Sequence, residues 1–202
     1  MNTEFHKIRR LPPYVFEQVN RSKAALRAEG ADIIDLGMGN PDLPTPKHIV
    51  DKLVETARKP DVNGYSASRG IPGLRRAVTD YYKRRFDVTL DKNKEVIVTL
   101  GSKEGFANLA QAISAPGDVI LSPDPSYPLH SFGFIIAGAS IRAVPSPSPE
   151  EYLRNLEKAV KHCVPPPTAM VLCYPSNPTA EVCDLEFYKD AVKFAKKHDL
   201  WI

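Results

Sequence analysis

A regular alternation of two hydrophobic periods, from residue 95 onward, constrains this chain more than any other feature. Short apolar runs such as Val96-Ile97-Val98 and Met170-Val171-Leu172 suit strands buried on both faces. The pattern predicts strands over 95–100, 119–122, 140–144 and 169–173. Helical patterns over 103–115, 127–138, 149–162 and 184–198 alternate with them. Ser148, with Glu151 three residues on, makes a capping box for the third of these helices, and Asp184 can cap the last. Strand–helix alternation of this kind argues an α/β fold: a mostly parallel sheet sandwiched by helices.

The first ninety residues are less regular. Pro12 and Pro13 open a helix that Gly30 stops, with Val15, Val19, Ala24, Leu26 and Ala28 as a loose apolar face. Ile33-Ile34-Asp35-Leu36 reads as a short strand, and Gly37-Met38-Gly39-Asn40-Pro41-Asp42 as a loop rich in turn formers. A second helix is expected with Thr45 as N-cap and Pro46 at its first position, burying Ile49, Leu53 and Ala57. Residues 60–73 read as an exposed loop. A third helix follows, with Leu74, Val78, Tyr81, Tyr82 and Phe86 facing inward.

Composition narrows the function classes. A net charge of +3 with no Lys/Arg-rich block argues against a nucleic-acid protein. No leader-type apolar region opens the chain, and no apolar stretch approaches a membrane span, so the expectation is a cytoplasmic protein. Three cysteines without a CxxC pair make metal binding and disulfides poor expectations. Proline is the outlier: 19 residues, about 9%, where about 5% is usual. The excess predicts forced turns and stiff loops.

Three of those loops follow predicted strands, where ligands bind in open α/β sheets. In Gly101-Ser102-Lys103-Glu104-Gly105, a hydroxyl and an ammonium stand at a helix N-terminus, whose free N–H groups favour an anion. In Pro125-Ser126-Tyr127-Pro128, two prolines stiffen the approach to an aromatic ring that can stack on a flat ligand. In Pro175-Ser176-Asn177-Pro178-Thr179, prolines restrict the backbone around Asn177 and aim its amide. Alone, the first reads better as a capped helix, the second equally well as a packed tyrosine, and the third as a rigid turn. Neither a Walker loop nor GxGxxG is present. Together, the three describe a site for a phosphorylated flat ring.

On these motifs, with Gly37 to Asp42 and the stretch from Tyr65 to Gly73, the chain resembles the class I/II aminotransferases, the fold-type-I enzymes dependent on pyridoxal 5'-phosphate (PLP). Within them it looks most like the branch of alanine and LL-diaminopimelate aminotransferases. The resemblance implies a transaminase that moves an amino group between an amino acid and a 2-oxo acid. It implies that Ser102 and Lys103 hold the cofactor phosphate, Tyr127 stacks on the pyridine ring, and Asn177 hydrogen-bonds its phenolic oxygen. Gly39 and Tyr14 would lie by the substrate, and Tyr65 would reach the phosphate of a neighbouring subunit in a homodimer. Residues 1–45 would form an arm with part of a small domain, and 46–202 the first part of the large PLP domain.

Ala180 stands where the family usually has Gly, which puts the turn's backbone in question. The family's Schiff-base lysine lies beyond residue 202, so no catalytic residue is assigned. Leu200-Trp201-Ile202 opens a further strand, and the expectation is a shortened chain. The alternative is an inactive short protein that binds PLP or pairs with a full-length subunit. An effector domain of a transcription regulator ranks below both, since residues 1–30 offer no basic recognition helix.

Overall fold

Apolar residues that alternate across a strand need a helix layer on each side, and that requirement organises the larger part of the molecule. The computed structural model describes residues 5–202 except 38 and 40. Met38 and Asn40 of the Gly37–Asp42 motif therefore lie outside the described residues. The chain divides into two compact units: the arm up to Pro12 with Thr99–Ile202, and Pro13–Val98.

In the first unit, strands β1 (Val119–Asp124), β2 (Ser140–Pro145) and β3 (Pro167–Met170) form a parallel sheet in the order β2-β1-β3. Val119 pairs with Ser140 on one side and Pro167 on the other, with a register shift after Val119 on the β3 side. A parallel bridge joins Ala169 to Trp201 beyond β3. The helices are α5 (Ser102–Ile113), α6 (Pro128–Ala137), α7 (Pro149–Lys161) and α8 (Leu185–His198), after a single-turn α1 (His6–Arg9) in the arm.

The two sheet faces carry separate cores. Leu121, Val144 and Met170 meet Tyr152, Leu156, Phe187 and Phe194 of α7 and α8. Ile120, Ala169 and Val171 meet Ala110 and Phe134 of α5 and α6. Neighbours Ile120 and Leu121 thus point to opposite cores, as a strand's period of two requires. The predicted α/β sandwich and its helices are present here with small boundary shifts. The caps are also as expected: Ser148 Oγ accepts from Glu151 N at 3.2 Å, and Asp184 Oδ1 from Phe187 N at 2.9 Å.

The second unit holds α2 (Val15–Ala28), α3 (Lys47–Ala57) and α4 (Pro72–Phe86). Here several expectations are corrected. Residues 33–36 form no strand, and Ile34 and Leu36 are exposed. Residues 95–100 form no ladder either. Val96 is buried, Val98 N donates to Arg69 O at 3.2 Å, and Ile97 and Leu100 are exposed. An extended apolar segment becomes a strand only when another strand pairs with its backbone, and no described segment pairs with either. Pro46, not Thr45, occupies the N-cap of α3, and no side chain caps it. The faces expected inside are largely outside: Ile49, Leu53, Leu74, Tyr81, Tyr82 and Phe86 are all exposed. The stripes exist, but no layer of described residues covers them. Among the described residues no helix is long and apolar enough to cross a membrane.

Candidate functional site

The chain leaves β1 and β3 in opposite directions. After β1 it enters α6, on one face of the sheet; after β3 it reaches α8, on the other. The two strands are adjacent and parallel, so the winding reverses at their carboxyl ends, the usual place for a ligand in an open α/β sheet. The loops carrying Tyr127 and Asn177 both start there.

Pro128 is the first residue of α6, and a residue before proline is held extended. Tyr127 accordingly sits at the N-cap with φ −64° and ψ 132°, its ring partly buried at the mouth of the helix. The His130 ring meets it nearly edge-on, centroids 5.7 Å apart. Ser126 Oγ lies 3.1 Å from His130 Nδ1.

The start of α5 is shaped by Gly101, at φ 91° and ψ 163°, a region open essentially only to glycine. Thr99 Oγ1 donates to Gly101 O at 3.0 Å, and Leu100 N donates to the Glu104 carboxylate, so the loop is closed on itself. Leu100 and Ser102 aside, no described residue has an atom within 4 Å of where a Cβ on Gly101 would stand. The first N–H groups of α5 have no partner four residues back in the helix, as at any helix start. Lys103 Nζ stands 5.9 Å from the centre of the Tyr127 ring. Two of the expected site residues are thus brought together from different elements.

Asn177 is exposed, and its N–H donates to Cys173 Sγ at 3.5 Å. Ser176 N donates to Glu181 O at 2.7 Å and Ala180 N to Ser176 O at 2.8 Å, closing the loop. Ala180 has φ 59°, in the left-handed region. The alanine therefore adopts the conformation a glycine would favour, at a cost of about 1 kcal/mol. Ala180→Gly is expected to raise the unfolding free energy by up to about 0.5 kcal/mol, read from the urea midpoint, because relief of the Cβ clash slightly exceeds the added unfolded-state entropy.

Gly39, Tyr14 and Tyr65 belong to the second unit. Its two chain neighbours aside, no described residue has an atom within 4 Å of where a Cβ on Gly39 would stand. Tyr14 is the N-cap of α2 and packs on Phe16 at 5.6 Å; Tyr65 lies fully exposed in a loop. The Gly37–Asp42 loop is anchored by a residue that the sequence reading passed over. Asp35 accepts from Lys23 Nζ at 2.7 Å and from Gly37 N at 3.0 Å. The Lys23 hydrogen bond, then that from Gly37, hold its carboxyl below the usual range.

His130 was also passed over, although Ser126-x-x-x-His130 spans one turn and offered a signal. Burial lowers the affinity of its imidazole for a proton below the ordinary value of about 6.5. Between the two values the unfolded chain binds the proton and the folded chain does not. Stability present above about pH 6.5 is therefore lost as pH falls toward the depressed folded value. A urea midpoint that drops from about pH 7.5 to about pH 5.5, less steeply in His130→Phe, is the expected result.

No group of His, Cys, Asp or Glu among the described residues could hold a metal ion. What the start of α5 and the cap of α6 bring together instead is a cation, a ring face and a glycine-opened helix start.

The chain is 64% identical to AatC of Rhizobium meliloti (strain 1021), covering 98% of this chain and 49% of that protein. It is 50% identical to the glutamate-pyruvate aminotransferase AlaC of Escherichia coli (strain K12), covering 98% and 48%. With an LL-diaminopimelate aminotransferase of Moorella thermoacetica it shares 40%, covering 98% and 50%. The chain spans about half the length of these curated relatives. Among solved structures, substrate-bound BacF of Bacillus subtilis superposes with a TM-score of 0.89 at 36% identity, covering 99% of this chain and 51% of that one. Aspartate aminotransferase of Thermotoga maritima gives 0.88 at 28%, covering 98% and 52%. The signature described as "Aminotransferase class I and II" matches residues 31–202, and the chain belongs to that family.

Proposed function

We propose that this chain forms the cofactor-holding part of a PLP-dependent aminotransferase acting between an amino acid and a 2-oxo acid, of the alanine/glutamate type. The observation that carries the reading is the meeting of Lys103 Nζ with the Tyr127 ring beside the glycine-opened start of α5. Class I and II aminotransferases generally use PLP, and the residues present fit it. The unfilled space above Gly101 admits a phosphate to the first N–H groups of α5, and a Cβ there would intrude on it.

In this reading Ser102 and Lys103 bind the phosphate, Tyr127 supports the ring, and the Asn177 amide donates to its phenolic oxygen. Gly39 lets the backbone approach the substrate carboxylate, Tyr14 lines the pocket, and Tyr65 serves the phosphate of a second subunit in a homodimer. Residues 1–45 make the arm and part of a small domain, and 46–202 the first part of the large domain. The bound cofactor supplies the electron sink for proton removal from the substrate's Cα. This chain's residues bind and orient it.

The test is a PLP titration of the purified chain followed by absorbance. Lys103→Ala is expected to weaken binding about tenfold through loss of one charge-assisted phosphate contact. With alanine and 2-oxoglutarate, the chain alone is expected to give no turnover above that of free PLP, since the family's lysine position is not among its residues. Equal affinity of wild type and Lys103→Ala would refute the assignment of the phosphate site.

A further inference from the structure

We propose that His130 is a positioning residue that sets the orientation of the Tyr127 ring, held in turn by Ser126 and by a stack of rings rooted in the core. The assignment deepens the cofactor-site reading above and rests on it for its functional meaning.

The stack begins at Phe134, which is buried in the core under α5 and α6. Phe106 of α5 meets Phe134 at 5.6 Å, nearly perpendicular. Gly133 makes room for it: a Cβ at that position would stand 3.3 Å from two Phe106 ring carbons. Phe106 then meets His130 at 5.5 Å, and His130 meets Tyr127 at 5.7 Å with ring planes 71° apart. The Phe106–His130 pair is tilted at 47°, and the edge-on pairs on either side of it have a preferred geometry, because positive ring edges seek negative faces. Three of the four rings belong to α6 or its cap, so the helix backbone fixes their spacing.

Ser126 supplies the remaining constraint. Its Oγ lies 3.1 Å from Nδ1 of His130, which stops the imidazole from turning about its own axis. The neutral imidazole suits this place, because Lys103 Nζ already stands against the same tyrosine ring and a second cation there would repel it. Tyr127 is thereby presented in one pose before any ligand arrives, which spares the ligand the entropy of ordering it.

The test uses the full chain without cofactor, with isotope-labelled tyrosine and histidine followed by NMR. Ser126→Ala and His130→Ala are both expected to shift and broaden the Tyr127 ring signals. His130→Phe, which keeps a ring in the stack but offers no nitrogen to Ser126, is expected to match Ser126→Ala and to broaden less than His130→Ala. In PLP titrations, the two alanine variants bind about three- to tenfold more weakly while the urea midpoint of Ser126→Ala stays at the wild-type value, and His130→Phe binds as Ser126→Ala does. Unchanged Tyr127 signals in both alanine variants would overturn the proposal. Should His130→Ala fail to fold, Ser126→Ala decides alone. A wild-type chain that binds no PLP counts against the cofactor reading, and the ring signals still decide the role of His130.

Discussion

Tyr152→Ala is expected to lower the unfolding free energy by about 3–5 kcal/mol, the largest stability loss of any single truncation considered for this chain. Tyr152 is wholly buried and is the largest such side chain among the described residues. It sits on α7 against Leu121, Val144 and Met170 of all three strands, and near the α8 residues Phe187 and Ala191. Its hydroxyl donates to Val171 O at 2.8 Å, beyond the end of β3, and burial raises its proton affinity far above that of an exposed tyrosine. Truncation therefore removes a ring from a close-packed core and leaves a buried carbonyl without this donor. Tyr152→Phe separates the two effects. It keeps the ring and is expected to lose only about 1 kcal/mol, the net worth of one buried hydrogen bond. Urea unfolding of the three proteins, followed by circular dichroism, checks both values. A Tyr152→Ala loss under 1 kcal/mol would show that α7 does not depend on this contact.

Tyr127→Ala is expected to weaken PLP binding about 10- to 100-fold. An aromatic platform under a flat nitrogenous ring is worth about 1–3 kcal/mol on truncation, and 1.4 kcal/mol is tenfold in affinity. The substitution also takes away the ring beside Lys103 Nζ, so the ammonium loses one of its constraints at the same time. Tyr127→Phe keeps the ring face and should stay within about threefold of wild type. Because Tyr127 is an N-cap residue whose side chain makes no capping bond, neither change should disturb α6. Equilibrium titration with PLP at fixed salt distinguishes the variants. Indistinguishable affinities for wild type and Tyr127→Ala would remove the tyrosine from the site.

How much of this was legible beforehand depended on how local each feature is. The Ser148 cap, the Asp184 cap and the proline-started α6 are settled within one helical turn, and they stand where the sequence put them. Strands near 119, 140 and 169 were legible because their residues carry the two-sided burial pattern and find one another in this chain. The segments at 33–36 and 95–100 carry comparable apolar runs and are not strands, because pairing depends on a partner that no local pattern specifies. The stripes of α3 and α4 misled in the same way: amphipathicity marks a face that wants cover, not whether cover is present.

The candidate site divides along the same line. Its residue types and their order (glycine, serine and lysine, then tyrosine, then asparagine) are properties of the sequence, and they were enough to name the family. That Lys103 and Tyr127 meet across two helices, and that the Tyr127 and Asn177 loops follow neighbouring strands, is visible only in the tertiary structure. The role of His130 is equally a tertiary matter, since Phe106 reaches it from another helix. By itself the sequence determined where helices begin and end, because caps and periodicity act over a few residues. The tertiary structure decided which apolar segments became strands and which side chains came to share a site, because pairing and packing join residues that lie far apart along the chain.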